Sequence, residues 1–244
     1  MFSFLKSKPK LADLIPFNYI DIHSHILPGI DDGSKNIEST EFLLNKMISL
    51  GFSKIITTPH TITTIWDNTN ETILEAQDKV ITELPSLSQQ VQLRAASEYM
   101  IDEGFLKLLK NKTLLTLKDN YVLVEMSYLN PPINLYDILF ELQVAGYIPV
   151  LAHPERYNFY HREFKQYEKL KKAGCLFQIN LLSTTGYYGE SVCVTAEKLL
   201  NLNMIDFSGS DIHHQNHIKA FQNKLQIKSI TSLEKAMNGN SFFK

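Results

Sequence analysis

The chain has 244 residues, a formal net charge of −2 and two cysteines. This length supports a sizeable core and is common for single α/β barrels, while the charge provides no basic face for nucleic acid. Cys175 and Cys193 form neither a CxxC motif nor a disulfide framework, which fits a reducing compartment. No apolar run is long enough for a signal-peptide core or a membrane span. We therefore expect a soluble, cytoplasmic protein without membrane insertion or a nucleic-acid partner.

Helical patterns alternate with short apolar strands along the chain. Three of the helices end at a glycine just before a strand, at Gly51, Gly146 and Gly174, and glycine accepts the left-handed conformation that closes a helix. Strands are predicted at Tyr19–Ile22, Lys54–Thr58, Val91–Ala96, Tyr121–Val124, Ile148–Ala152, Cys175–Ile179 and Met204–Ser208. Helices are predicted at 37–50, 70–84, 102–110, 133–145, 163–173 and 190–202, with short helices after 214 and at 231–238.

Seven alternating strand–helix units predict a parallel α/β sheet that closes into a barrel. The strands are nearly continuously apolar, as is typical when both faces of a parallel sheet are covered. No linker composition divides the chain, so we predict one domain over residues 18–244, preceded by an N-terminal arm over residues 1–17. Trp66 and Asn68 are expected in a loop of uncertain order after the second strand.

The strongest motif is Asp21-Ile22-His23-Ser24-His25 at the end of the first strand. Residues two apart on a strand face the same side, so both imidazoles can reach one metal ion, although such a pair can also be simply packed or solvated. Further residues of the metal-binding type follow later strands: Asp32 in the first loop, His60, Glu98, Glu125, His153, Asp211 and His213. Catalytic groups of α/β barrels come from these strand ends.

Several of these residues also have a purely structural interpretation. Asp32 belongs to an Asp-Asp-Gly segment that suits a turn, and His60 and His153 can be loop or packed histidines. Glu98 and Glu125 are harder to explain in this way, because strand ends beside a core rarely carry unpaired carboxylates. Three further histidines are expected at the surface: His161, His214 and His217.

The candidate ligands are oxygens and imidazoles without thiolates, which suits zinc, manganese or iron rather than a structural zinc cage. Nine ligands are too many for one ion and predict two or three. Clustered ions can generate hydroxide and clamp a phosphoryl group. Arg156 lies three residues after His153, and its planar fork suits phosphate; alternatively, it forms a surface salt bridge with Glu155 or a neighbour.

The segments DIHSHILPGIDDG, TPH, SEY, VEMSY, AHPERY and GSDIHH, in this order, resemble the polymerase-and-histidinol-phosphatase (PHP) superfamily. Within it, they are most similar to the manganese-dependent protein tyrosine phosphatases of bacterial capsule and exopolysaccharide operons. The resemblance covers residues 19–215 and implies a distorted (β/α)7 barrel with a trinuclear metal site. It implies one ion held by His23, His25, Glu98 and Asp211, a second by Glu98, Glu125 and His153, and a third by Asp32, His60 and His213.

The resemblance further implies that Arg156 binds phosphate and that the substrate is the phosphotyrosine-bearing C-terminal tail of a bacterial tyrosine kinase. Members of the family often carry a second arginine after the SDxH motif; this chain offers His217 or Lys219 as the replacing cation. Two alternatives are an enzyme for a small phosphate monoester, such as histidinol phosphate, and a non-catalytic metal-binding regulatory module.

Two other enzyme classes fit the residues less well. An amidohydrolase barrel would require a bridging lysine at a central strand end, where this chain has Glu98 and Glu125. A cysteine-dependent phosphatase would require a C-x5-R loop, but the positions in question are Leu181 and Leu199.

Overall fold

The structure, a computed structural model, describes residues 8–111 and 114–244. Short parallel strands alternate with helices throughout this part of the chain. The strands are β1 (Tyr19–Asp21), β2 (Phe52–Thr57), β3 (His60–Thr61), β4 (Gln92–Ala95), β5 (Glu98–Met100), β6 (Tyr121–Glu125), β7 (Ile148–Ala152), β8 (Leu176–Asn180) and β9 (Phe207–Gly209). The α-helices are α1 (Ile37–Ser49), α2 (Asn70–Glu83), α3 (Pro85–Gln90), α4 (Glu103–Asn111), α5 (Leu135–Val144), α6 (Lys165–Lys172), α7 (Glu190–Asn201), α8 (Gln215–Ala220) and α9 (Ile230–Gly239).

The strands form two parallel sheets that together make a distorted barrel. One sheet has the order β1-β2-β4 and the other the order β3-β5-β6-β7-β8-β9. Because β3 directly continues β2 and β5 directly continues β4, the nine segments follow seven paths. A parallel bridge between Ser24 and Ile212 joins the segments after β1 and β9 and closes the ring. The predicted single-domain (β/α)7 barrel is confirmed.

The breaks in two of the seven strands were not predicted. Pro59 lacks a backbone N–H and so interrupts the ladder of the second strand, and the Thr58 N–H donates to Ser24 O at 2.7 Å. The chain then resumes as β3, where His60 pairs in register with Glu98 of β5. The breaks therefore set two candidate ligands beside each other.

The last strand starts at Phe207 and not at Met204, so that predicted boundary was wrong. Asn203 has a φ of 51°, and the Met204 N–H donates to Leu199 O at 3.1 Å. Asn203 thus closes α7 in the left-handed conformation that glycine usually supplies, and the strand can begin only beyond it.

The barrel interior is apolar at the N-terminal ends of the strands. Leu123, Val150 and Phe243 are fully buried in one cluster, and the Phe243 ring lies 6.0 Å from that of Tyr121, the first residue of β6. Phe243 belongs to the final 3₁₀ turn, Asn240–Phe243, which closes this end of the barrel. The polar candidate residues lie at the opposite, C-terminal ends of the strands.

The proposed division between an arm and a domain stays a prediction, and residues 1–7 lie outside the described part of the chain. The rest of the arm packs on the barrel: Leu11 is fully buried, and the Ala12 N–H donates to Phe221 O at 2.8 Å. None of the helices in the described ranges combines the length and apolar character needed to cross a bilayer.

Candidate active site

The nine predicted acid and imidazole side chains meet at the C-terminal mouth of the barrel. Their potential ligand atoms form four overlapping groups, each within 4.8 Å. The groups are His23, His25 and Asp211; His23, Glu98 and His153; His60, Glu98 and Glu125; and His25, Asp32, His60 and His213. The first group contains three of the four ligands implied for one ion, without Glu98. His153 lies with Glu98 and His23 instead of with Glu125, and His60 lies with the two glutamates as well as with Asp32 and His213.

The centre of the cluster is a buried quartet. The Nε2 atoms of His23 and His25 are 3.3 Å apart, and Glu98 Oε2 lies 3.3 and 3.4 Å from them. Asp211 Oδ1 lies 3.3 and 3.5 Å from the same two nitrogens. Ligand atoms about 2.1 Å from a shared ion are about 3.4 Å apart in a tetrahedral arrangement. The spacing of His23, His25 and Asp211 therefore fits a single metal ion.

A second convergence of atoms involves His60 and the two glutamates. His60 Nδ1 lies 2.9 Å from Glu125 Oε1 and 3.1 Å from Glu98 Oε2, yet none of the three atoms has a hydrogen-bond partner among the described residues. The buried His153 Nδ1 also lacks one. Buried polar atoms without partners are costly, and a cation shared by His60, Glu98 and Glu125 would satisfy those three atoms.

The third group lies at the solvent-facing edge. Asp32 Oδ1 is 3.5 Å from His60 Nε2 and 3.4 Å from His213 Nε2, and the Asp32 side chain is 49% exposed. The turn interpretation of Asp32 therefore does not account for its position, since the carboxylate faces two imidazoles.

Two buried side chains that the sequence did not single out orient the first histidines. Gln178 Oε1 lies 2.6 Å from His23 Nδ1, while the Gln178 amide nitrogen donates to Ile179 O. Asp31 Oδ2 lies 2.7 Å from His25 Nδ1. Each oxygen accepts from an Nδ1–H and leaves the Nε2 lone pair directed at the quartet, which is the usual arrangement around metal-binding histidines.

Asp31 is more than a turn residue, although its Asp-Asp-Gly context suggested one. Its Oδ1 accepts the Gly33 N–H at 2.9 Å, and its Oδ2 also accepts the His60 N–H at 3.1 Å. Gly33 is required for this loop because a Cβ there would lie 2.0 Å from His25 O. The sequence shows an acidic residue only six positions after His25, but it does not show that the two side chains form a hydrogen bond.

Two candidate ligands have strained backbones. His153 has a φ of 34° and Asp211 a φ of 50°, in the left-handed region that side chains other than glycine rarely adopt. Such conformations cost about 1–3 kcal/mol each and concentrate at functional sites. Here they occur directly after β7 and two residues after β9, where they turn both side chains into the cluster.

The cluster contains four carboxylates, those of Asp32, Glu98, Glu125 and Asp211, beside one guanidinium, that of Arg156. Burial and the neighbouring Glu98 raise the pKa of Glu125. Burial alone would also raise the pKa of Asp211, but the nearby imidazoles and Arg156 hold it well below its usual value. The excess of acidic groups favours divalent cations.

The cluster opens into a pocket of about 260 Å³. Its lining consists of Asp32, His60, Tyr128, His153, Arg156, Tyr188, Asp211, His213, His214 and His217. A larger groove of about 540 Å³ lies between α4 and α5, but its lining includes no member of the cluster. We therefore take the smaller pocket as the candidate active site.

Arg156 is fixed in the wall of this pocket. Its Nη1 donates to Asp211 Oδ2 at 2.7 Å, and its guanidinium lies 4.8 Å from the Tyr128 ring centroid and 4.1 Å from that of Tyr188. The alternative of a surface salt bridge with Glu155 or a neighbour was wrong, since the Asp211 partner is buried and Glu155, fully buried itself, accepts from the Asn180 N–H and the Ser183 hydroxyl.

Two expectations about the surroundings of the pocket were also wrong. His217 is only 7% exposed and its Nδ1 lies 3.0 Å from Asp211 O, whereas Lys219 is exposed and outside the lining. Trp66 lies in the loop before α2, as predicted, and its ring stacks on His60 with centroids 5.0 Å apart and planes 12° apart. Asn68 Nδ2 donates to His60 O at 2.8 Å. As expected, His214 is exposed, whereas His161 is partly buried and its Nε2 bonds to Glu155 O at 2.7 Å.

Comparison with known proteins gives consistent matches. The family model for capsular polysaccharide synthesis, CpsB/CapC, matches residues 19–238. Tyrosine-protein phosphatase YwqE of Bacillus subtilis is 30% identical over 196 residues, which are 80% of this chain and 77% of that protein. Tyrosine-protein phosphatase CpsB of Streptococcus pneumoniae is 28% identical over 201 residues, with 80% of this chain and 83% of that protein covered.

A solved structure is also similar. It comes from work on YwqE from Bacillus subtilis and CpsB from Streptococcus pneumoniae, described there as unique metal-dependent tyrosine phosphatases. The match has a TM-score of 0.77 at 28% identity and covers 88% of this chain and 86% of that chain.

Proposed function

Because the chain belongs to the CpsB/CapC family of capsular polysaccharide synthesis, we propose that it is a metal-dependent protein tyrosine phosphatase. The observation that carries this proposal is the convergence of nine ligand-type side chains beside a fixed Arg156 in one pocket. Metal-dependent phosphoryl transfer uses this combination of metal ligands and a phosphate-binding cation.

The substrate we propose is phosphotyrosine in the C-terminal tail of a bacterial tyrosine kinase that controls polysaccharide export. The names of the relatives YwqE and CpsB support the chemistry. A cytoplasmic location belongs to the same proposal, and the two unpaired cysteines, Cys175 and Cys193, are compatible with it.

We further propose that the nine side chains hold two or three divalent ions, with manganese preferred over iron or zinc. Oxygen and imidazole donors suit all three metals. The proposal is supported by the spacing of His23, His25 and Asp211 and by the unpaired buried atoms of His60, Glu98 and Glu125.

In this proposal the metal ions and the residues around them have separate roles. Bound divalent ions would supply a nucleophilic hydroxide near neutral pH and neutralise phosphate charge. Arg156 keeps one N–H on Asp211 and has further N–H groups for the phosphate oxygens, with a geometry that suits bidentate contact. Asp31 and Gln178 hold the tautomers of the histidines that they contact. A tyrosine phenol, with a pKa of about 10, leaves without a dedicated acid.

Elemental analysis of the purified protein and a para-nitrophenyl phosphate assay test this proposal. We expect bound divalent metal, loss of hydrolysis in excess chelator and recovery on adding back individual ions. Cys175→Ser and Cys193→Ser are matched controls that should keep full activity. Full activity in chelator, or its loss in either cysteine variant, would contradict the mechanism.

The choice of substrate needs a separate comparison. A phosphotyrosyl peptide should be turned over faster than histidinol phosphate. The reverse order would identify an enzyme for small phosphate esters, and metal binding without any hydrolysis would identify a regulatory module.

A further inference from the structure

Tyr128 is a pocket-lining residue with an uncommitted hydroxyl. It follows β6 by three residues and borders the pocket beside Arg156. The one contact recorded for its Oη among the described residues is His153 Nε2 at 3.5 Å, which is long for a hydrogen bond. The residue is 45% exposed. A tyrosine hydroxyl directed inward normally finds a closer partner, so this one is available to a bound molecule.

Tyr188 on the other side of Arg156 provides an internal comparison. Both rings contact the guanidinium, at 4.8 Å for Tyr128 and 4.1 Å for Tyr188. The Tyr188 hydroxyl, however, accepts a hydrogen bond from Asn180 Nδ2 at 3.2 Å. Tyr188 is thus tied into the protein, whereas Tyr128 offers a free donor and a side chain that is 45% exposed.

Tyr128 lies where it can contact both the phosphate and the aryl group of an aryl phosphate. Its hydroxyl lies 3.5 Å from His153 Nε2, and its ring centroid lies 4.8 Å from the Arg156 guanidinium, so a phosphate held by Arg156 next to the ligand cluster comes within reach of the hydroxyl. In-line displacement places the leaving oxygen opposite the attacking one. Attack from the cluster therefore directs the leaving group toward the pocket mouth, where the Tyr128 ring is exposed.

We propose that Tyr128 contacts the substrate twice: its hydroxyl donates a hydrogen bond to a non-bridging phosphate oxygen, and its ring packs on the aryl leaving group and favours aryl over alkyl phosphates. This inference rests on the proposed phosphatase function. As the new P–O bond forms from water, the bond to the aryl oxygen breaks and its electron pair stays on that oxygen. The phenolate regains, through solvent, the proton that the water lost. Tyr128 keeps its own proton throughout.

Two substitutions separate the two contacts. Tyr128→Phe removes the hydroxyl but keeps the ring beside Arg156. It should raise the inhibition constant of inorganic phosphate and lower kcat/KM for phenyl phosphate and β-glycerophosphate by a common factor of about 13- to 160-fold, the range for one hydrogen bond to a charged group. Tyr128→Leu removes the ring as well. It should additionally lower the ratio of phenyl phosphate to β-glycerophosphate turnover by about 2- to 13-fold, the range for an aromatic pair.

Tyr136→Phe and Tyr136→Leu are matched controls, because Tyr136 is similarly exposed, at 41%, but lies on α5 outside the pocket. They should match the wild type in every measurement. Metal content and melting temperature of each variant check that the fold and the cluster are intact.

The outcomes distinguish the inference from the function on which it rests. Wild-type protein that binds divalent metal but hydrolyses no phosphate ester defeats the proposed function itself. An active wild type with unchanged phosphate inhibition and turnover in Tyr128→Phe overturns the role of the hydroxyl. An unchanged aryl-to-alkyl ratio in Tyr128→Leu overturns the role of the ring.

Discussion

Replacing Asp31 by asparagine tests whether this buried carboxylate sets the tautomer of a metal ligand. Asp31 accepts from His25 Nδ1 at 2.7 Å and from the Gly33 N–H at 2.9 Å. Burial alone would raise the pKa of Asp31, but His25 and the Gly33 N–H outweigh it and lower the pKa to about 2. The group is therefore an ionised acceptor at neutral pH. An asparagine of the same shape can instead turn its NH₂ toward His25, which moves the imidazole proton to Nε2, the atom that faces the cluster.

The expected loss can be estimated in two ways. Removing an outer partner of a metal-binding histidine lowers metal affinity about 10- to 100-fold, which corresponds to about 1.4–2.7 kcal/mol. A hydrogen bond to a charged group contributes about 1.5–3 kcal/mol, in agreement. An exposed ion pair would contribute about 0–1 kcal/mol, so the size of the effect identifies a buried, orienting contact.

Trp66 provides the assay, since it is the chain's single tryptophan and stacks on His60 within the cluster. Titration of metal-free protein with Mn²⁺ should change its fluorescence, with the midpoint shifted 10- to 100-fold upward in Asp31→Asn. Calorimetry checks the same constant. Asp67→Asn is the control, because Asp67 bonds to the Thr64 N–H in a neighbouring turn. An Asp31→Asn midpoint equal to that of the wild type would refute the reasoning and leave Asp31 as a turn residue.

Further predictions concern other parts of the molecule. Arg156→Lys should lower kcat/KM for para-nitrophenyl phosphate about 10²-fold, because lysine lacks the planar fork. Phe243→Ala should lower the free energy of unfolding by about 3–5 kcal/mol in urea titrations and leave the Mn²⁺ midpoint unchanged, since Phe243 lies at the opposite end of the barrel. Gly209→Ala should lower both stability, by about 1–3 kcal/mol, and Mn²⁺ affinity, because its Cβ would lie 2.6 Å from His23 Cβ; equal affinities would contradict this. Mn²⁺ at 100 times its Kd should raise the free energy of unfolding by about 2.7 kcal/mol, seen as a higher melting temperature that chelator abolishes.

The sequence predicted most of the fold because hydrophobic periodicity is local. A helix that stops at Gly146 and an apolar strand at Ile148–Ala152 are visible within a few residues, and the structure confirms both. The breaks after Thr57 and Ala95 were not predicted. At each break the strand moves from one sheet to the other, and which strands lie beside it depends on the tertiary fold. The hydrogen bond of Thr58 to Ser24, beyond the end of the neighbouring strand β1, leaves no signature in the strand itself.

The same distinction between local sequence and tertiary structure applies to the candidate site. The chain itself determined which side chains stand at strand ends, since alternation along a strand fixes the side of His23 and His25 before any packing. Only the closed barrel decided what surrounds them: Gln178 lies 155 positions from His23 along the chain but 2.6 Å from its ring. Local sequence fixes the direction of a side chain within its own element, whereas the approach of distant elements depends on how the whole core packs.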